Sequence, residues 1–201
     1  SSLEFFDKHY QYLANQRGES ALDTNGKLVI YPGSGGETFK IAKNPASTIA
    51  ALQVVTQKLL QSKYLQPNDR IYFKAFLNRI PPIPYTNTYG VTTISPAISR
   101  KRINNVESMQ LYPVYPWGIY GIGKPNLEIA RNTYLYDTLA IKFRSSIGWK
   151  QDNIFAAKLG LIQEAARLNE LKLRNSSNKF PAFWGPGFDW TPDHNWGGSG
   201  M

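Results

Sequence analysis

The chain has no cysteine, two histidines and two methionines among its 201 residues. The first absence excludes disulfides and thiolate-bound metals without choosing a compartment. With His9 and His194 as the whole histidine complement, a metal centre held by several histidines is excluded too. No apolar run reaches the length of a bilayer-spanning helix, so no membrane partner is expected. Gly33, Gly35 and Gly36 lack both the lysine of a phosphate loop and the spacing of a dinucleotide fingerprint. Nucleotide binding is therefore not expected.

Aromatic and basic residues are what the chain has in quantity. Twelve tyrosines, ten phenylalanines and five tryptophans accompany a formal charge of +9. Arg100-Lys101-Arg102 is the one compact basic cluster, and most other cations lie in amphipathic segments such as residues 158–175. Without zinc-finger, basic-zipper or RNA-recognition spacing, that charge reads as a solvated surface, and no nucleic-acid partner is expected.

The length suits one substantial core, so residues 1–201 are read as one domain. Leu3, Phe6, His9, Tyr10 and Leu13 fall on one helical stripe, with Gly18 to end the helix and His9 as a packed or partly exposed structural side chain. Residues 27–31 are a short extended piece that opens into a glycine-rich loop. Asn44-Pro45 reads as a helix start, the cap residue standing before a first-turn proline. A second helix runs from Pro67 or Asn68 through Arg79, where Pro81-Pro82 stops it. Short strands are expected within residues 83–99. Helices resume behind Pro125, with breaks at Gly148 and Gly160. Some six helical stretches result, an all-α assembly of helix pairs with small extended segments and long loops.

Two loops carry the chemistry. Residues 180–201 hold three of the five tryptophans and the run Asp193-His194-Asn195, followed after Trp196 by Gly197-Gly198. Far upstream, Glu37 follows Gly35-Gly36 in a setting where flexible backbone can approach a substrate. One carboxyl that gives a proton and one that activates water is the division of labour that glycosidic cleavage requires. Tyr112, Tyr115, Trp117 and Tyr120 offer flat faces with polar edges, suited to sugar stacking or to filling gaps over a helical core. Glu107 is an alternative carboxylate.

In the order of these features the chain resembles the C-terminal half of the catalytic domain of glycoside hydrolase family 95, the inverting α-L-fucosidases and their near relatives. YPGSGGETF, residues 31–39, stands where the family has its serine-proline-glutamate-asparagine loop. Leu111-Tyr112-Pro113 and Val114-Tyr115-Pro116 resemble its leucine-tyrosine-proline segment, and DHNWGG, residues 193–198, its aspartate-glycine-asparagine-phenylalanine-glycine-glycine loop. The chain departs from the pattern at Gly35-Gly36, at Thr38, at His194 and across residues 104–110, which replace a histidine-rich approach.

The resemblance implies a partial (α/α)6 toroid of helical hairpins, lacking N-terminal helices and at least one C-terminal helix. It implies inverting hydrolysis of a terminal α-L-fucosyl or related sugar in an oligo- or polysaccharide, with Glu37 as general acid and Asp193 as water-activating base. Tyr112, Tyr115, Trp117, Trp190, His194, Asn195 and Trp196 would contact the sugar, and neither metal nor organic cofactor is called for. The family's setting is extracellular or periplasmic. Its water-orienting asparagines precede the general acid, so residues 1–201 on their own are expected to be poorly active. The alternatives are a non-catalytic carbohydrate-binding or degenerate module and a polysaccharide lyase, whose mark would be an unsaturated uronic product.

Overall fold

The computed structural model describes residues 1–146 and 150–174. They form two compact units. The first comprises Ser1–Asn87 and Ile94–Pro113; the second comprises Thr88–Thr93 and the chain from Val114 onward.

In the first unit, helix α1 (Ser2–Gln16) starts from a capping box, with the Ser1 hydroxyl accepting from the Glu4 amide while the Glu4 side chain reaches back to the cap. Its buried line is Asp7, Tyr10 and Ala14. The expected apolar stripe is thus rotated. Asp7 draws the helix round, because its carboxylate accepts from the Tyr72 hydroxyl at 2.8 Å, from Arg79 at 2.5 Å and from Gln11 at 2.9 Å. His9 is exposed and stacks on Phe5 at 5.7 Å between ring centroids.

Strands β1 (Gly33–Gly35) and β2 (Phe39–Ala42) form an antiparallel hairpin, and β5 (Arg102–Ile103) pairs on the far side of β2. Gly33 faces Ala42 while Ser34 faces Lys40, which leaves Ile41 as the extra residue of a bulge with φ of 52°. Helix α2 (Ala46–Gln61) packs on β1 and on helix α3 (Pro67–Arg79). Asn44 does not cap α2. It adopts φ of 50°, and its side-chain oxygen accepts from the Ile30 amide at 2.8 Å, tying the start of the helix to the segment that leads into the hairpin. The core of this unit is Leu28, Ile30, Phe39, Ile49, Phe76, Ile94 and Leu111, all fully buried.

A second hairpin, β3 (Tyr85–Thr88) with β4 (Val91–Ile94), turns at Tyr89-Gly90. Both turn residues have positive φ, 51° and 85°, which suits the right-handed twist of a tight hairpin. The second unit continues with α4 (Leu127–Tyr136), α5 (Thr138–Phe143), α6 (Asp152–Lys158) and α7 (Ile162–Arg174). Asp137 separates α4 from α5 and caps the latter through the Ala140 amide at 2.7 Å. The turn at Gly160, with φ of 74°, lets α7 fold back on α6.

The all-α toroid expected from the sequence is therefore corrected. The described residues contain seven α-helices and two antiparallel sheets, a mixed architecture. The glycine segment has no side-chain periodicity to announce a strand, yet its backbone pairs with Phe39–Ala42. The threonine-rich run around Tyr89-Gly90 forms the short strands expected within residues 83–99, paired as one hairpin.

Candidate functional site

Glu37 lies at the apex of the β1–β2 hairpin, in the turn Gly36–Thr38. Gly36 makes the turn possible. Its φ is 54°, and a Cβ there would stand 2.6 Å from the Met109 sulfur. The turn is braced by Lys40, whose Nζ donates to the Ser34 hydroxyl at 3.1 Å and to the Gly36 carbonyl at 3.0 Å.

Around this apex the chain after β5 folds over Thr38. The Asn104 amide donates to the Thr38 carbonyl at 2.8 Å, and the Glu107 amide to the Thr38 hydroxyl at 3.1 Å. Asn105 thereby arrives beside Glu37, with Nδ2 donating to Glu37 Oε2 at 3.0 Å. The other end of that amide is committed, because Asn105 Oδ1 accepts from the Val106 amide at 2.8 Å. Glu37 is exposed, and among the described residues its Oε1 accepts no hydrogen bond.

Glu107 is half-buried and enters the same cluster. The Thr38 hydroxyl lies 3.5 Å from its Oε2, and the Tyr112 hydroxyl is hydrogen-bonded to its carboxylate. Burial pushes the Tyr112 phenol well above its ordinary range, and the charge of Glu107, the hydrogen bond to it and the charge of Glu37 add to the shift. Tyr112 is thus a neutral donor at physiological pH. The cluster comprises two carboxylates, a phenol, a hydroxyl and a primary amide, one carboxylate internal and the other presented outward.

Of the residues expected to act on a sugar, Glu37, Glu107 and Tyr112 come together here. Tyr115 and Trp117 are half-buried and belong to the second unit, where Gly118 closes their turn by donating to the Val114 carbonyl at 3.2 Å. Trp190, Asp193, His194, Asn195 and Trp196 lie outside the described residues. Thr38 and Asn105 are the site residues that sequence reasoning missed. Thr38 stood out only as a departure from a family asparagine, and Asn105 only as part of a replaced histidine segment. The basic cluster is built into the sheet edge: Arg102 pairs with Lys40 in the ladder, and the Arg100 guanidinium lies 5.0 Å from the centre of the Phe39 ring.

No family model, curated protein or solved structure matches the chain. Among the described residues no helix is long and apolar enough to cross a membrane.

Proposed function

We propose that the protein supplies the reaction centre of an inverting glycoside hydrolase acting on a terminal α-L-fucosyl or related sugar of an oligo- or polysaccharide. Glu37 is the general acid and Asp193 the base that activates water. The observation that carries the reading is the state of the Glu37 carboxyl. One oxygen is held by Asn105, the other is open at the tip of a hairpin, and a second acidic group stands behind it. An acid that must hand its proton to a leaving oxygen needs this combination of fixed orientation and access. Glu107 suits the acid role less well, because Thr38 and Tyr112 engage its carboxylate from within the fold.

In the proposed reaction Glu37 Oε1 carries the proton to the departing glycosidic oxygen. Water deprotonated by Asp193 attacks the anomeric carbon from the opposite face, and the configuration inverts. Such enzymes hold their two carboxyl groups about 6.5–9.5 Å apart, so that the water fits between.

The test is hydrolysis of fucosylated oligosaccharides by the natural polypeptide that carries these residues, followed by proton magnetic resonance. The β-anomer of the released fucose should appear first, and Glu37→Gln should suppress it. Initial release of the α-anomer, an unsaturated uronic product, or full activity in the Glu37→Gln variant would overturn the assignment. Saturable binding of the same sugars without turnover would identify a carbohydrate-binding module instead.

A further inference from the structure

The second unit contains a cleft of about 420 Å³ between the glycine-rich loop 118–124 and helix α6. Its lining is Gly118, Tyr120, Gly121, Ile122 and Lys124 from the loop, with Ile154, Ala157 and Lys158 from the helix. The loop is fixed against the helix end: the Ile122 amide donates to the Lys158 carbonyl at 3.0 Å, and the Lys124 amide donates to the Gly121 carbonyl at 3.0 Å. A Cβ at Gly121, where φ is 154°, would stand 3.2 Å from the Lys158 carbonyl oxygen. Behind this junction Arg131 Nε donates to the Leu159 carbonyl at 2.8 Å, which holds the helix end in place.

The charge of the cleft is one-sided. Lys124 and Lys158 are both exposed, neither forms an ion pair or side-chain hydrogen bond among the described residues, and no described carboxylate lines the cleft. Two like charges set on one concave surface repel each other and concentrate a positive potential there, which an anion relieves. The volume is in the range of small-ligand sites and far above what an inorganic anion fills. Ile122, Ile154 and Ala157 add an aliphatic wall that suits the C–H face of a sugar ring. The ring of Tyr120 is buried at 5% exposure, so the cleft presents no open aromatic platform for a nucleobase. A further cleft, walled by Pro81, Pro82 and Pro84 in the first unit, is lined by Asp23 and by no cation.

We propose that this cleft binds the anionic group of an acidic saccharide, a uronate or sulfated sugar, through Lys124 and Lys158. The saccharide class rests on the glycosidase reading, whereas the preference for an anion rests on the cleft alone.

The experiment is calorimetric titration of the full chain with digalacturonate, with its neutral galactose counterpart and with inorganic sulfate. Digalacturonate should bind with one-to-one saturation, more weakly as sodium chloride rises. Joint replacement Lys124→Ala and Lys158→Ala should weaken it by about tenfold, while the paired arginine replacements retain it. Because both side chains are exposed, these variants should fold, and circular dichroism checks this. Equal affinity for the neutral disaccharide, equal affinity for sulfate alone, or binding unaffected by the alanine pair would overturn the proposal. Glu37→Gln separates the two readings. Digalacturonate binding unchanged in that variant but lost with the lysines supports the cleft even if no hydrolysis is found. Loss with Glu37→Gln and not with the lysines overturns it.

Discussion

Asn105 and Glu37, 68 positions apart in the chain, meet through a 3.0 Å hydrogen bond from the amide Nδ2 to Oε2. The Asn105 amide cannot turn round without losing its 2.8 Å bond from Val106, so the donor end stays aimed at the carboxylate. That constraint fixes the plane of the Glu37 carboxyl and leaves Oε1 as the oxygen presented outward. Asn105→Ala should lower kcat by about tenfold with KM little changed, the pattern of a lost positioning contact. A thermal melt run beside the kinetics separates this from unfolding. An unchanged kcat in a folded variant would remove Asn105 from the site.

Glu37 and Glu107 should respond differently to the same change. Glu37→Gln removes the transferable proton and should cost on the order of 10²–10⁴-fold in kcat. Glu107→Gln keeps an acceptor for Tyr112 and Thr38 and should cost far less in rate. Equal losses in the two variants would show that both carboxyls take part in the proton transfer.

Much of the helical frame was legible in the sequence, as were the short strands on either side of Tyr89-Gly90, whereas the sheet built on Gly33–Gly35 was not. Pro67 and Arg79 bound α3 as periodicity and proline placement suggested, and Gly160 breaks the chain between α6 and α7. Such signals are local. The pairing of Gly33–Gly35 with Phe39–Ala42 depends on backbone groups alone, and glycine carries no side-chain pattern to reveal it. Glu37 was noticed for its glycine neighbours, and Glu107 was held as its rival. Their meeting around Thr38 depends on β5 pairing with β2, a contact across some sixty residues that no local rule reports. Asn44 misled for a related reason. Its place before Pro45 fits a cap, yet the Ile30 amide claims the side chain.

Gly36 should tolerate no side chain. A Cβ would have to displace Met109, and φ of 54° disfavours any residue with one. Gly36→Ala should destabilise the fold by about 1–3 kcal/mol, measured by urea unfolding. Adding Met109→Ala should recover the steric part of the loss in a double-mutant cycle. Independent, additive losses would show that the close approach to Met109 is not the cause.

Asp7 anchors α1 to α3 from a position only 2% exposed. Asp7→Ala would leave the Arg79 guanidinium without its 2.5 Å partner and the Tyr72 hydroxyl without its acceptor. A loss of about 3–5 kcal/mol is expected for opening such a buried pair. Tyr72→Phe removes a single hydrogen bond and should cost about 1 kcal/mol. Chemical denaturation of both variants tests the ranking. A larger loss in Tyr72→Phe would mean that the phenol, and not the ion pair, holds the helix.

The last prediction concerns Asp152 at the start of α6, which is 2% exposed. Its Oδ2 accepts from the Ser145 amide at 3.2 Å, and its Oδ1 is buried with no hydrogen-bond partner among the described residues. Burial pushes the carboxyl up to about 6, against the Ser145 hydrogen bond and the nearby charges of Lys150, Arg144 and Lys172. Lys172 is itself fully buried, and burial pushes its ammonium down while Asp152 opposes that shift. In the unfolded chain an aspartate titrates near ~3.9. Between about pH 4 and 6 the folded protein therefore holds a proton that the unfolded chain has released, so this group's stabilising contribution is whole below about pH 4 and is lost as pH rises through about 6. The upper bound on that loss is roughly 3 kcal/mol for a shift of about two units. Asp152→Asn cannot ionise and should remove this slope. Urea unfolding of the native chain and the variant at intervals from pH 4 to pH 7 gives the difference directly, with other carboxylates cancelling between the two. The native chain should lose stability relative to Asp152→Asn as pH rises, mostly before pH 7. A difference that stays constant across the series would show that Asp152 ionises as freely in the fold as in the unfolded chain.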